Sequence, residues 1–193
     1  MTGTSELLRR LAEFPCGAAV KLDDDLRDDL DAALEGRPGV LFVLRGNGLE
    51  LAPVVHRIHS AGKLAAVHLD LVDGLSTDTA GVRWLVRCGA DAIISSQGQA
   101  VGSARAEGVV AIQRVLCSTR GALELGLAAV TRAQPDIVEL LPGVILPEVA
   151  DLVLPRLTVP LLAGGFIRAA ADVRSVLAAG ALAVTTSERA LWN

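Results

Sequence analysis

The chain has no tyrosine, three phenylalanines, two tryptophans and one methionine. It therefore offers little material for stacking nucleic-acid bases on aromatic platforms. Its charge is equally ill suited to bulk attraction of nucleic acid, since 18 basic against 22 acidic residues leave a net −4 and a pI of about 5.4. RNA would have to be met by a local patch. Cysteine is scarce too: Cys16, Cys88 and Cys117 show neither CxxC spacing nor a His-Cys pattern, so they read as buried thiols rather than a disulfide framework or metal site. His56 and His59 lie three apart on a helical pattern without a third ligand nearby, and no metal is expected there. No apolar run approaches the roughly 18 to 20 residues that span a bilayer, so no membrane role is expected. Arg9, Arg10 and Glu13 interrupt the apolar residues near Met1, which argues against a signal peptide and for a cytoplasmic protein.

What the chain does have is a 51% hydrophobic content spread over short runs broken by Gly, Pro and charges. Strands are predicted to begin near residues 18, 40, 64, 92, 109, 136, 159 and 182, a βα unit about every 23 residues, with the last helix cut short to residues 188–193. Eight such units in 193 residues predict a compact (β/α)8 TIM barrel of class α/β, a single domain over 1–193 with a lead-in helix within 1–16. An open doubly wound sheet is the alternative, weakened by the lack of GxGxxG after the first strand. The acidic run Asp23-Asp24-Asp25 is placed at a helix start, where the macrodipole favours carboxylates. Trp84 is read as packing or a subunit contact, and a homodimer stays open.

The stretch 161–187 is the part built to hold an anion. A short apolar run leads into Gly164-Gly165, a helical pattern follows, and a second apolar run ends in Thr185-Thr186-Ser187. In (β/α)8 barrels the loops after the seventh and eighth strands commonly bind phosphate, which makes Gly143, Gly164, Gly165, Thr186 and Ser187 the candidate phosphate site. The same topology gathers Lys21, Asn47, His68, Asp70, Ser95, Gln113, Arg114 and Glu139 at the carboxyl ends of the other strands. Asp70 and Glu139 are candidates for accepting hydrogen bonds from ligand hydroxyls. Each of these residues could equally be a cap or a salt-bridge partner.

The segments His68-Leu69-Asp70-Leu71-Val72-Asp73-Gly74-Leu75, Gln113-Arg114, Glu139-Leu140-Leu141-Pro142-Gly143, Ala163-Gly164-Gly165-Phe166-Ile167-Arg168 and Thr185-Thr186-Ser187 occur together in one order. In that combination the chain, from about Ala18 to Trp192, resembles the bacterial glycerol-uptake operon antiterminator regulatory protein family. The resemblance implies a TIM barrel that senses glycerol 3-phosphate, needs no cofactor, and acts on the leader of glycerol-catabolic messenger RNA to prevent early termination. Lys21 stands where the family is expected to have an arginine, which keeps the cation but loses the bidentate fork. Arg45 and Arg168, with Arg114, are candidates for a positive patch that couples RNA to ligand. The competing reading is a small phosphosugar-type aldolase or isomerase, with Asp70, Glu139 or Lys21 as base or nucleophile. An inert barrel used for partner contacts is a third.

Overall fold

Short apolar runs alternate with amphipathic segments along the chain, and each run becomes a parallel strand. In the computed structural model, which describes residues 3–22 and 27–193, the strands are β1 (Cys16–Lys21), β2 (Val40–Asn47), β3 (Leu64–His68), β4 (Val72–Asp73), β5 (Ala92–Ser95), β6 (Val110–Leu116), β7 (Ile137–Leu141), β8 (Leu161–Gly164) and β9 (Ala183–Thr186). β1 pairs with β9 on one side and β2 on the other, which closes the sheet, and every pairing is parallel. The two-residue β4 pairs only with the end of β2, through Gly46 and Asn47, and lies outside the ring. The remaining eight strands form a closed (β/α)8 barrel, and β8 and β9 are its seventh and eighth strands.

The helices are α1 (Gly3–Glu13), α2 (Arg27–Glu35), α3 (Leu51–Ser60), α4 (Thr79–Arg87), α5 (Gly98–Ala106), α6 (Arg120–Ala133), α7 (Leu146–Val153) and α8 (Ala170–Ala178). The run Asp23-Asp24-Asp25 lies outside the described residues. Helix starts follow the expected chemistry where a cap is present: Asp78 accepts from the amides of Ala80 and Gly81, and Thr119 from that of Ala122. After β9 the chain makes only a 3₁₀ turn, Arg189–Leu191, before Trp192. The Trp192 indole is buried and donates to the Thr186 carbonyl at 3.0 Å, which ties the chain end to the last strand.

Strand alternation sorts the core into two layers. Ala19, Phe42, Ala66, Ala92, Ile94, Ile112, Ile137, Leu162 and Ala183 fill the barrel interior, small residues beside large ones. Their neighbours, among them Val20, Val43, Val67, Ile93, Val138 and Val184, pack outward under the helices. α1 closes the amino-terminal end, because Leu7 and Leu11 join the inner cluster. Burying each contributes roughly 1.5–3 kcal/mol.

Candidate functional site

On five of the strands, the position two residues beyond an inward apolar side chain falls in a polar layer at the barrel mouth. His68 follows Ala66, Arg114 follows Ile112, Glu139 follows Ile137, Gly164 follows Leu162 and Thr185 follows Ala183. Glu139 is fully enclosed and its two oxygens are both engaged. Arg114 donates through Nε to Oε2 at 2.8 Å, and the Thr185 hydroxyl donates to Oε1 at 2.7 Å. Gly164 makes room for this arrangement, since a Cβ there would lie 2.3 Å from Thr185 Oγ1 and 2.8 Å from Glu139 Oε1. The carboxylate is thus an internal anchor that holds the guanidinium, the salt-bridge alternative among its expected roles.

His68 is 3% exposed, and neither ring nitrogen has a hydrogen-bond partner among the described residues. Burial, joined by the charge of Arg114, pushes its pKa down to about 4 against the opposing pull of Asp70 and Glu139. The imidazole is therefore neutral near pH 7.

Asp70 follows His68 in a 3₁₀ turn and accepts from the Ser95 hydroxyl, the Ser96 amide at 2.8 Å and the Ser96 hydroxyl at 2.6 Å. Burial acts to raise its pKa, but these donors and His68 outweigh it, and the net shift is downward. Asp70 thereby ties the loops after β3 and β5 together.

Above the polar layer opens a cavity of about 600 Å³. Ala19 and Leu44 belong to its barrel side. Arg114, Leu116 and Ser118 come from β6 and its exit, Leu141 and Pro142 from the end of β7, Gly165 to Arg168 from the β8–α8 turn, and Thr185 to Glu188 from β9 and its exit. Gly165 and the following Phe166 both take positive φ, 85° and 60°. This left-handed turn leaves Phe166 exposed at the rim, with the Arg168 guanidinium 5.7 Å from its ring centroid. Arg114 holds Glu139 through Nε and is itself part of the cavity lining. Glu188 adds a carboxylate to the same wall.

Of the residues singled out from sequence, the cavity wall brings together Arg114, Gly165, Arg168, Thr186 and Ser187. Thr186 takes part with its hydroxyl already committed, donating to Ile167 O at 2.7 Å and accepting from Glu188 N at 3.0 Å. The others lie off that wall. Asn47 caps a 3₁₀ turn by accepting from Leu49 N at 2.9 Å, away from the cavity. Gln113 falls on the outward phase of β6, between Ile112 and Arg114, and donates to Ser96 O at 3.0 Å. Gly143 presses against β8, where a Cβ would lie 2.5 Å from the Ala163 carbonyl carbon. Lys21 and Arg45 are register partners at the exposed ends of β1 and β2, off the cavity wall. Gly164 sits beneath the cavity in the polar layer. Ser118, Phe166 and Glu188 are wall residues that the sequence does not single out, whereas Thr185 stands there with Thr186 and Ser187 as a candidate anion donor. Ser118 and Glu188 lie past the strand ends, where alternation gives no signal.

The thiols are free, Cys16 and Cys117 buried and Cys88 partly so. Burial pushes the Cys16 thiol up to about 12, which leaves it unreactive. His59, which with His56 is a candidate metal pair, bonds Asp91 Oδ2 at 2.8 Å. Among the described residues no group of three or more His, Cys, Asp or Glu could hold a metal ion, and no helix is long and apolar enough to cross a membrane.

This geometry has relatives. The glycerol uptake operon antiterminator regulatory protein of Listeria monocytogenes superposes with a TM-score of 0.82 at 33% identity, over 91% of this chain and 94% of that one. A glycerol uptake operon antiterminator-related protein of Thermotoga maritima gives 0.80 at 26% identity, over 93% and 98%. In sequence, the uncharacterized protein YgcP of Escherichia coli K12 is 32% identical over 97% of this chain and 96% of its own length. Aldolases such as the tetrameric deoxyribose phosphate aldolase of Aeropyrum pernix share the fold alone, at 14% identity and a TM-score of 0.70. Residues 19–192 match the family described as glycerol-3-phosphate responsive antiterminator, and the chain belongs to that family.

Proposed function

We propose that this protein is a cytoplasmic sensor of glycerol 3-phosphate that acts on the leader messenger RNA of glycerol-catabolic operons when the ligand is bound. The observation that carries the reading is the placement of the cavity at the exits of the barrel's seventh and eighth strands, with Arg114 and Arg168 on its wall. A phosphate seated there would meet two guanidinium groups, the Ser187 and Ser118 hydroxyls and the tight approach that Gly165 allows. Charge-assisted bonds of this kind contribute about 1.5–3 kcal/mol each before desolvation. Glu188 tempers the positive field and would favour a ligand that also offers hydroxyl donors.

The aldolase or isomerase reading draws less support. Asp70 and Glu139, the proposed acid-base groups, are both engaged by internal donors, and Lys21 stands off the cavity wall. A crystal structure grown with glycerol 3-phosphate tests the assignment. The phosphorus is expected within hydrogen-bonding reach of Arg114, Arg168 and Ser187, and a ligand seated on another face of the barrel would overturn it.

A further inference from the structure

The polar layer under the cavity contains one group without a partner. Arg114, Glu139 and Thr185 satisfy one another, whereas both nitrogens of His68 are buried and unpaired among the described residues. A buried polar group left this way is costly, and proteins fill such positions with a ligand, a water or an apolar replacement. His68 occupies the inward phase of β3, directly above the apolar filling, and its charged neighbours are Arg114, Glu139 and Asp70. Of these, Arg114 is a cavity wall residue, whereas His68 is not on the wall and lies buried in the polar layer beneath it.

We propose that His68 reads the hydroxyl groups of an organic phosphate whose phosphate end is held by Arg114 and Arg168. This rests on the phosphate-site reading above and adds what the site selects: a short polyol phosphate in preference to an alkyl phosphate of equal length. A neutral imidazole donates at one nitrogen and accepts at the other, and a ligand hydroxyl likewise donates and accepts. The acidic side chains nearby are already engaged, Glu139 by Arg114 and Thr185, Asp70 by Ser95 and Ser96. His68 is the unengaged member of the set. An ordered water on His68 that no ligand displaces is the rival account, and it predicts no discrimination between the two phosphates.

Calorimetric titration of the full chain with glycerol 3-phosphate and with 1-propyl phosphate decides between them. Wild type is expected to bind glycerol 3-phosphate about tenfold to a hundredfold more tightly, the range for one or two buried hydrogen bonds. His68→Leu should erase that preference while holding propyl phosphate within about threefold of wild type, as expected when only the hydroxyl contact is lost. Its ligand-free melting temperature should match or exceed wild type, because two unpaired buried nitrogens are gone. Should His68→Leu fail to fold, His68→Ala, apolar and too short to reach, carries the same expected loss of preference. Equal wild-type affinities for the two phosphates would overturn the inference and leave the phosphate site standing. So would a preference that survives at position 68. A wild type that binds neither compound would overturn both.

Discussion

At the scale of single residues, the mouth of this barrel depends on a carboxylate used as scaffold. Glu139 is enclosed, pairs with Arg114 and receives Thr185, so removing it strands a guanidinium in a half-dry site. Loss of one partner of a buried pair costs about 3–5 kcal/mol. Glu139→Ala should show that loss in denaturant unfolding, and a loss below about 1 kcal/mol would mean that water reaches Arg114 freely. His68 gives a pH signature. Its folded pKa, about 4, lies below the ordinary 6.5, so between those values the unfolded chain binds the extra proton. Stability should therefore fall as pH is lowered from about 6.5 towards 4. Comparing melting curves of wild type and His68→Leu across that window isolates the effect, and parallel curves would show that His68 is not buried neutral. Residue types and strand phase revealed His68, Arg114 and Glu139 from sequence, but not which of them was spoken for. Whether a carboxylate faces a ligand or a neighbouring arginine depends on cross-strand register, here Arg114 opposite Glu139, and no local pattern carries that.

At the scale of elements, strand starts were legible because each apolar run is short and bounded, and β2, β3 and β5 begin at the predicted residues 40, 64 and 92. Ends were less so. β6 runs on to Leu116, and its alternation separates Gln113 from Arg114, which the sequence motif treats as a pair. β4 was not foreseen at all, since two residues give no periodicity. The β8–α8 turn, by contrast, announced itself through Gly164-Gly165. Its second glycine holds φ at 85°, and a Cβ there would lie 2.7 Å from Leu141 Cδ1, on the cavity wall. Gly165→Asp should abolish stabilisation by glycerol 3-phosphate while far-ultraviolet circular dichroism still reports a folded barrel, because it places a carboxylate where the anion is proposed to sit. Tight binding by that variant would move the site elsewhere.

At the scale of the whole molecule, a net charge of −4 and a near absence of aromatics restrict any RNA surface to a patch. Phe166 and Arg168, adjacent on the rim, are the exposed aromatic and cation closest to the cavity wall's turn. With three or four phosphate contacts, leader RNA affinity should fall with salt at a log-log slope of only about −2 to −3. Glycerol 3-phosphate should tighten that binding about 5- to 150-fold, reciprocally with RNA's effect on the ligand. Arg168→Ala should weaken both in a paired titration. Absence of RNA affinity in either ligand state would leave a metabolite-binding barrel whose output passes through another protein.

The most direct test of the phosphate site is a thermal melt of the wild-type chain with glycerol 3-phosphate against glycerol at equal concentration. At 100 times Kd, linkage adds about 2.7 kcal/mol, which for a chain of this size raises the melting temperature by roughly 5 to 10 °C. Glycerol should leave it unchanged within about 1 °C under the same conditions. Equal shifts with the two compounds, or none with either, would contradict the claim that this cavity is a phosphate site.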